Sequence, residues 1–296
     1  MNKKYYILAI FSALLFSLST PASKLLLDKI NPIFLAALYY LGAAVFLLPF
    51  SYKDLSREYK CLREQKKDFF RLLGAVIFGG IIGPLCLLFG IKSLNATSSS
   101  LLLNIETVAT TFLAWLFFRE HISRRVAISS ILTVVAGILL VLKSDFQINY
   151  GGLLIVFACI AWGLDNNFTA TVEGISPKTN TIIKGTLAGF FNLIIAFLFY
   201  KIEASFVSIA FAVVIGFFSY GLSISLYITS ARYFGAARSQ IVFSIHPFLG
   251  AIISYFIFWD NPDETLDIVF IYKFELYPDK QKDYFYYKKI LLRNLG

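Results

Sequence analysis

Charged residues are scarce in this chain: Asp, Glu, Lys and Arg make up 15% of its 296 residues, whereas hydrophobic residues make up 58%. Soluble domains contain about 25% charged and about 45–50% apolar residues. A single aqueous core cannot bury so much apolar surface, but a bilayer accommodates it in helices of about 20 residues. The composition excludes an ordinary water-soluble enzyme and predicts an all-α polytopic membrane protein.

Cysteine and histidine are almost missing, with three and two copies respectively. Cys61, Cys86 and Cys159 are widely spaced, which does not suggest a disulfide framework. His121 and His246 belong to no zinc-type spacing. We therefore expect no metal and no cofactor.

The net charge of +9 comes from 27 basic and 18 acidic residues. A nucleic-acid interface needs its basic residues on one accessible face. Here they lie between hydrophobic runs, so nucleic acid is not an expected partner. The expected partners are the lipid bilayer and a small-molecule substrate, and the sequence leaves the oligomeric state open.

Nine hydrophobic runs are candidate membrane spans, namely residues 5–27, 32–50, 72–91, 98–118, 126–142, 151–172, 181–200, 206–231 and 239–259. They lack the short polar alternation of a membrane barrel, so each is predicted to be a helix whose backbone groups are satisfied internally. Gly221 marks a candidate break in the eighth run. The first run, with Lys3 and Lys4 before it and small residues at 19–23, also fits a cleavable secretory signal. Because its apolar stretch continues to Leu27, the first-helix interpretation is favoured.

Basic loop residues predict the orientation, since positively charged loops stay in the cytoplasm. Loop 51–71 contains seven basic residues: Lys53, Arg57, Lys60, Arg63, Lys66, Lys67 and Arg71. The other loops on that side carry Arg119, Arg124, Arg125, Lys178, Arg232 and Arg238. The loops of the opposite side carry only Lys24, Lys29, Lys92, Lys143 and Lys201. We therefore predict a multi-pass protein of the cytoplasmic (plasma) membrane with a cytoplasmic N-terminus.

Internal similarity predicts two repeats. Residues 11–18 resemble residues 157–164, and residues 96–120 superimpose on residues 236–260 at an offset of 140. Each match is weak alone, but together they give five helices per repeat, with a first repeat at 1–143 and a second at 144–259. An odd number of helices inverts the second copy in the membrane, which is the inverted architecture of many transporters.

Specific motifs resemble the EamA-type transporters of the drug/metabolite transporter superfamily. The fourth run is preceded by Asn95-Ala96-Thr97 and closes in Phe117-Phe118-Arg119-Glu120-His121, which is similar to the aromatic-glycine-glutamate ending of that family's repeat. The second copy reads Phe258-Trp259-Asp260. The resemblance covers residues 5–260 and implies ten helices, cytoplasmic termini and transport of small metabolites, with export of amino acids or related compounds as the default.

The end of the chain departs from that pattern. A tenth span should lie near residues 266–283, but that window contains seven charged residues: Asp267, Lys273, Glu275, Asp279, Lys280, Lys282 and Asp283. Each costs about 2.5–3.5 kcal/mol at the centre of a span. About nine spans are therefore expected, with a divergent tail at 260–296 facing outside. One hypothesis is a frameshifted or truncated gene that no longer transports, and the alternative is a natural divergent tail.

Glu106 is the foremost candidate site residue. It lies near the middle of the fourth run, where a carboxylate is expensive and defaults to a functional role. At the offset of 140, its counterpart is His246. Substrate binding or proton coupling through these two residues is the favoured hypothesis, and a hydrogen bond that merely joins the halves is the alternative.

A second candidate cluster comprises Asp165 and Asn166 in the sixth run, with Trp162 one turn earlier. Its counterpart region contains Thr20, next to Pro21, which removes a backbone hydrogen bond and is expected to open the helix. The alternative for Asp165 is a position at the headgroups. Lys184 is a weaker candidate, because a lysine near a span end can snorkel to the interface.

Three classes of function remain in competition. An intramembrane lipid-modifying enzyme would need a nucleophile, metal or acid–histidine motif, and none is recognisable. A channel is expected to show rings made by oligomer symmetry. Two inverted halves with polar residues at the midplane favour a secondary transporter that works by alternating access.

Overall fold

The computed structural model describes residues 3–142 and 150–258, so the predicted tail at 260–296 lies outside the described residues. Within those ranges every regular element is helical. The α-helices are α1 (Lys3–Phe16), α2 (Ser19–Leu27), α3 (Pro32–Leu47), α4 (Tyr52–Glu64), α5 (Lys66–Ala75), α6 (Gly83–Ser93), α7 (Ala96–Leu102), α8 (Ile105–Phe118), α9 (Arg124–Leu142), α10 (Tyr150–Thr171), α11 (Pro177–Phe199), α12 (Phe206–Ile215), α13 (Ser223–Phe234), α14 (Ala236–Phe243) and α15 (His246–Ile257).

Eight helical segments of the described chain are long and apolar enough to cross a membrane: Lys3–Leu27, Pro32–Phe50, Lys66–Ser93, Ser98–Phe118, Tyr150–Thr171, Pro177–Phe199, Phe206–Phe234 and Ala236–Ile257. They match eight of the nine predicted runs. The remaining run, 126–142, forms the 19-residue helix α9. The prediction of an all-helical, multi-pass membrane protein with roughly nine spans is confirmed.

Three spans are interrupted near their middle. The first is interrupted between α1 and α2, where Pro21 has no N–H for the carbonyl of Ser17. The ninth is interrupted between α14 and α15 just before Pro247, for the same reason. The fourth is interrupted between α7 and α8, where the Asn104 side chain donates to the Leu101 carbonyl at 2.7 Å and competes with helical bonding. The last two interruptions occupy nearly equivalent positions, since α14 begins 140 residues after α7 and α15 begins 141 residues after α8.

Spans three and eight each contain a π-helical segment, Val76–Ile82 and Gly216–Leu222. The two segments have the same length, seven residues, and their residue numbers differ by 140 throughout. The wider turn occurs where Gly221 predicted a break, so the eighth span stays continuous. A Cβ on Gly216 would overlap the Tyr39 backbone, which shows how closely spans eight and two approach.

The freed carbonyls of the first π-helical segment are satisfied by other spans. The Gly79 carbonyl accepts from the Tyr40 hydroxyl and, at 3.2 Å, from the Trp162 indole N–H. The Gly80 carbonyl accepts from the Asn192 side-chain amide at 3.1 Å. Buried backbone acceptors require hydrogen-bond partners. These bonds from other spans supply them, so the wide turn is stable at this place.

The helices of the two predicted repeats interleave. Helix α3 packs along α11, which follows the same Pro-initiated pattern in the second repeat. Helix α10 packs on α6 and α8, and α13 packs on α1. The centre of the molecule therefore lies between helices that are far apart in sequence.

Candidate functional site

A cavity lies among α1, α3, α8, α10, α11, α13 and α14, near the middle of the spans. It is partly enclosed and contains about 430 Å³ of space not filled by protein atoms, including the space open to the surroundings. The lining side chains are Phe16, Tyr40, Glu106, Trp162, Asp165, Asn166, Thr169, Lys184, Tyr220, Ile224, Tyr227 and Phe243. Four of the six site residues predicted from sequence, Glu106, Asp165, Asn166 and Trp162, are among them.

Asn166 is the centre of a hydrogen-bond network that joins three helices. Its side-chain NH₂ lies 2.8 Å from Glu106 Oε1, 3.1 Å from Thr110 Oγ1 and 3.2 Å from Gln240 Oε1. An amide nitrogen carries two hydrogens, so three acceptors share two donated protons. The network fixes Glu106 of α8 against α10 and α14.

Asp165 and Lys184 form a buried ion pair on the cavity wall. Lys184 Nζ lies 2.6 Å from Asp165 Oδ2, and the lysine is 1% exposed. The Lys184 ammonium group is therefore bonded inside the protein and does not snorkel to the interface, and Asp165 is likewise buried in the protein, at 6% exposed. Sequence reasoning underestimated Lys184 because position within a span does not reveal a partner on another helix.

Four polar atoms of the cavity-lining residues have no hydrogen-bond partner in the described protein. They are Glu106 Oε2, Asp165 Oδ1 and the hydroxyls of Tyr220 and Tyr227. Buried polar atoms are almost always paired, so unpaired ones call for a specific explanation. Two of them are acceptors on carboxylates and two are hydroxyls, which can donate.

His246 and Thr20 do not line this cavity. The His246 ring packs on Phe16 and Phe243, with centroid separations of 4.9 and 4.5 Å, and its Nε2 has no partner within the described residues. The two phenylalanines line the cavity, so His246 lies directly behind its wall. No hydrogen bond joins His246 to Glu106 in the described part of the chain. Thr20 is buried but also away from the lining.

Trp162 has two contacts relevant to the site. Its indole N–H holds the Gly79 carbonyl, and its ring packs edge-on against Phe16 at a centroid separation of 5.9 Å. It therefore connects the π-helical segment to the cavity wall.

Sequence reasoning missed several polar residues around the cavity. Thr110, Thr169 and Gln240 were not candidates, although all three are buried within or beside apolar runs. The signal that identifies Gln240 is an amide inside the predicted span 239–259, next to a run of apolar residues. Threonines carry little signal, because their hydroxyls commonly bond to their own helix.

A second polar cluster fixes the turn between α10 and α11, at residues 171–176. The Asp68 carboxylate, on α5, accepts the backbone N–H groups of Glu173 and Gly174 at 3.0 and 2.8 Å. Arg232, on α13, donates to the Ile175 carbonyl at 2.5 Å and to the Thr169 carbonyl at 3.4 Å. We call this arrangement the turn clamp. Thr169 also lines the cavity, so the clamp adjoins that end of the site.

Supporting bonds to the same turn come from α4 and α5. Glu58 Oε2 accepts the Ser176 N–H at 2.9 Å, and Arg71 donates to the Thr171 carbonyl at 2.6 Å while it pairs with Asp68 at 3.3 Å. Side chains from three other helices therefore hold this turn.

Glu120 joins the ends of spans four and nine. Its Oε2 accepts the Ala236 N–H at 3.1 Å. Partial burial raises the pKa of Glu120 above its ordinary value of 4.5, although the bonds to backbone N–H groups oppose that shift.

Among residues 3–142 and 150–258, no group of three His, Cys, Asp or Glu side chains is arranged to hold a metal ion.

The sequence was compared with known proteins. It matches the profile of the EamA-like transporter family over residues 3–143 and 149–267. A protein of Methanothermobacter thermautotrophicus named "Uncharacterized transporter" is 26% identical over 273 residues, which cover 85% of this chain and 78% of the relative. The "Uncharacterized transporter YetK" of Bacillus subtilis is 27% identical over 224 residues, which cover 73% of this chain and 65% of the relative.

The fold is similar to that of a protein solved by crystallography. The TM-score is 0.68 at 13% sequence identity, and the match covers 90% of this chain and 93% of the other. At that identity the likeness concerns the fold alone.

Proposed function

Because the chain belongs to the EamA-like transporter family of the drug/metabolite transporter superfamily, we propose that it exports a small polar metabolite, such as an amino acid or a related compound, by alternating access. The relatives are themselves named transporters. The proposed location is the cytoplasmic membrane, with the N-terminus in the cytoplasm as the basic loops predict.

The unpaired polar atoms of the cavity carry this proposal. The free carboxylate oxygens of Glu106 and Asp165 are suited to a solute ammonium group, and the hydroxyls of Tyr220 and Tyr227 are suited to a solute carboxylate. Phe16 and Phe243 supply apolar surface beside them. A few polar groups within an apolar lining are typical of a small-molecule site.

The charges of the lining support a solute that carries an amino group. Lys184 neutralises Asp165 directly, whereas Glu106 forms no ion pair within the described residues. An uncompensated carboxylate inside a membrane span is costly, and a bound cation or proton removes that cost. We propose that the solute ammonium and a proton compete for Glu106, which would couple transport to pH.

Repeated backbone irregularities support alternating access between two halves. The π-helical segments recur at an offset of 140, and the interruptions of spans four and nine recur within one residue of that offset. Transporters built from inverted repeats bind substrate near the midplane, at broken helices between the repeats. In this proposal the turn clamp closes one end of the cavity, and its release opens the site to the side on which α4 lies.

A ligand screen by thermal unfolding tests the proposal. Detergent-purified protein is heated with amino acids, nucleosides, sugars or polyamines, since a ligand at 100 times its Kd stabilises the folded state by about 2.7 kcal/mol. We expect one amine-containing class to raise the melting temperature of the wild type and of Asp54→Asn, a surface control, but not of Glu106→Gln. A class that stabilises wild type and Glu106→Gln equally would contradict the proposed site.

Transport itself is then measured by counterflow of the identified compound in proteoliposomes. We expect uptake that depends on pH and is strongly reduced in Glu106→Gln. A reporter that is active only in the cytoplasm, fused at Gly296, tests the nine-span orientation. It should be silent, and a cytoplasmic signal would contradict nine spans.

A further inference from the structure

An apolar groove lies outside the candidate site, between α4, α5 and α11. It encloses about 1340 Å³, including the space open to the surroundings. The lining residues are Tyr52, Leu55, Ser56, Tyr59, Leu62, Phe69, Leu72, Leu73, Val76, Ile182, Ile183, Thr186 and Leu187. Two walls are formed by residues of the segments Lys66–Ser93 and Pro177–Phe199, both of which are long and apolar enough to cross a membrane.

Helix α4 covers one end of the groove and is amphipathic. Its apolar residues recur at helical spacing on one face, from Tyr52 through Leu55 and Tyr59 to Leu62, and all four line the groove. Its other positions are rich in charge. A helix of this kind lies in the interfacial plane with its apolar face toward the acyl chains.

Cations are concentrated at one corner of the groove. Lys53 Nζ lies 5.8 Å from the centroid of the Tyr52 ring, and Lys178 Nζ lies 5.9 Å from that of Phe50. Phe50 and Tyr52 are two residues apart, so both ammonium groups are held near the same turn. Lys178 also stands one turn before Ile182, which lines the groove.

The net charge of this surface is positive. Residues 52–67 contain six basic residues, namely Lys53, Arg57, Lys60, Arg63, Lys66 and Lys67, against the three acidic residues Asp54, Glu58 and Glu64. Basic clusters on an amphipathic helix beside a membrane span are typical of anionic-lipid binding.

We propose that the groove binds an anionic glycerophospholipid, with an acyl chain between α5 and α11 and the headgroup phosphate between Lys53 and Lys178. The apolar lining accounts for the chain and the two lysines account for the charge of the headgroup. The lipid would brace α4, whose Glu58 accepts a hydrogen bond from the turn that the clamp holds. The proposal does not depend on which solute the central cavity takes.

Lipid retention tests the headgroup assignment. The full chain is extracted from membranes that contain phosphatidylglycerol and phosphatidylcholine in equal amounts, and the lipid that copurifies is measured by mass spectrometry. A basic side chain at the surface favours anionic lipid by about fivefold. We expect retained phosphatidylglycerol to exceed phosphatidylcholine severalfold, and Lys53→Gln/Lys178→Gln to abolish that preference.

The matched control is Lys60→Gln/Lys67→Gln, which removes the same charge from exposed positions on α4 and α5. This variant should keep the preference for phosphatidylglycerol. Equal loss in both double variants would mean that only the general surface charge attracts lipid, and it would overturn the assignment. Equal retention of the two lipids by the wild type would overturn it as well.

Filling the groove tests the acyl-chain position. Thr186→Trp places a large ring in the groove from α11, whereas Ile194→Trp adds the same ring on the exposed side of that helix. We expect Thr186→Trp alone to lose the retained phosphatidylglycerol while both variants elute as folded protein. Undiminished retention in Thr186→Trp would overturn the proposal.

Discussion

Glu106 and His246 follow equivalent helix interruptions in spans four and nine, yet their surroundings differ. Glu106 lines the cavity and accepts from Asn166 at 2.8 Å, with one oxygen unpaired. His246 is held between two phenylalanine rings behind the cavity wall. Equivalent backbone therefore does not confer equivalent chemistry, because the neighbours of each side chain come from different spans.

The same contrast is found in the π-helical segments. The first carries Gly79, whose missing side chain leaves room for the Asp165 carboxylate. The second carries Ser219 at the equivalent position, and its hydroxyl donates to the Leu15 carbonyl at 2.8 Å. The first half therefore makes space for the Asp165 carboxylate of α10, whereas the second half uses the equivalent position for a hydrogen bond to the first span.

The largest expected effect comes from breaking the charge pair. Removing one member of a buried pair costs about 3–5 kcal/mol, so Asp165→Asn and Lys184→Met should each unfold at much lower temperature than the wild type. The double variant Asp165→Leu/Lys184→Met should recover most of that loss. As a control, Asp54→Asn breaks an exposed pair with Arg57 and should cost less than about 1 kcal/mol. Single variants as stable as the control would refute the importance of the pair.

Next is the direct comparison of Glu106 with His246. A charge-assisted hydrogen bond contributes about 1.5–3 kcal/mol, so Glu106→Gln should reduce transport roughly 10- to 100-fold. His246→Phe preserves the ring contacts, and its transport should stay within about threefold of the wild type. Counterflow in proteoliposomes measures both. A greater loss in the histidine variant would reverse the assignment of roles.

Substitution at the π-helical positions should have an intermediate effect. Gly79→Ala would force its methyl group onto Asp165 and should destabilise the protein by about 1–3 kcal/mol. Ser219→Ala removes one hydrogen bond and should cost about 1 kcal/mol. Thermal unfolding in detergent compares the two. If the serine variant is the less stable one, the two halves do not differ as described.

An effect of similar size, but on local opening rather than on global stability, is expected at the turn clamp. Asp68→Ala leaves two backbone N–H groups without their acceptor and should favour opening of the turn, by about 1–3 kcal/mol. In a background with the native cysteines replaced by serine, Thr169→Cys should then react with a water-soluble maleimide roughly tenfold faster. Asp54→Ala is the matched control. Unchanged labelling in Asp68→Ala would show that the clamp does not limit access.

The smallest expected effect is a pH dependence at Glu120. Because its pKa is raised in the folded protein, the folded state binds more protons there than the unfolded state, and stability falls as pH rises from the ordinary carboxyl range through the raised value. Glu120→Gln should remove this part of the slope of melting temperature against pH. A slope that is identical in the variant would assign the dependence to other groups.

Hydropathy alone predicted most of the architecture. The runs at 32–50 and 98–118 coincide with spans of the structure. A membrane helix must pair its backbone N–H and C=O groups within the segment and expose apolar side chains to lipid, so hydropathy identifies it. The third span begins at Lys66, six residues before the predicted Leu72, since its polar first turn carries no hydropathy signal. The loop at 51–71 contains the amphipathic helix α4, which the charge pattern did not distinguish from an irregular loop.

The candidate site was predicted less completely. Glu106, Asp165 and Asn166 were identifiable because polar groups inside an apolar run are rare and costly. Gln240 and the role of Lys184 were not, because each depends on a partner in another span. The repeat led us to expect that Glu106 and His246 act together. A repeat relates positions in the two halves, but it does not determine which side chains of other spans each residue contacts.

The sequence by itself determined that this chain is a multi-pass helical protein, because length and hydropathy act locally along the chain. Its motifs, and not its hydropathy, resembled those of a transporter family. Only the tertiary structure decided which polar residues share the cavity. The bond from Asn166 to Glu106 joins residues 60 positions apart, and the Asn166–Gln240 bond joins residues 74 apart. Such contacts depend on how the spans pack, since each buried polar group takes the partner that packing brings within hydrogen-bonding distance.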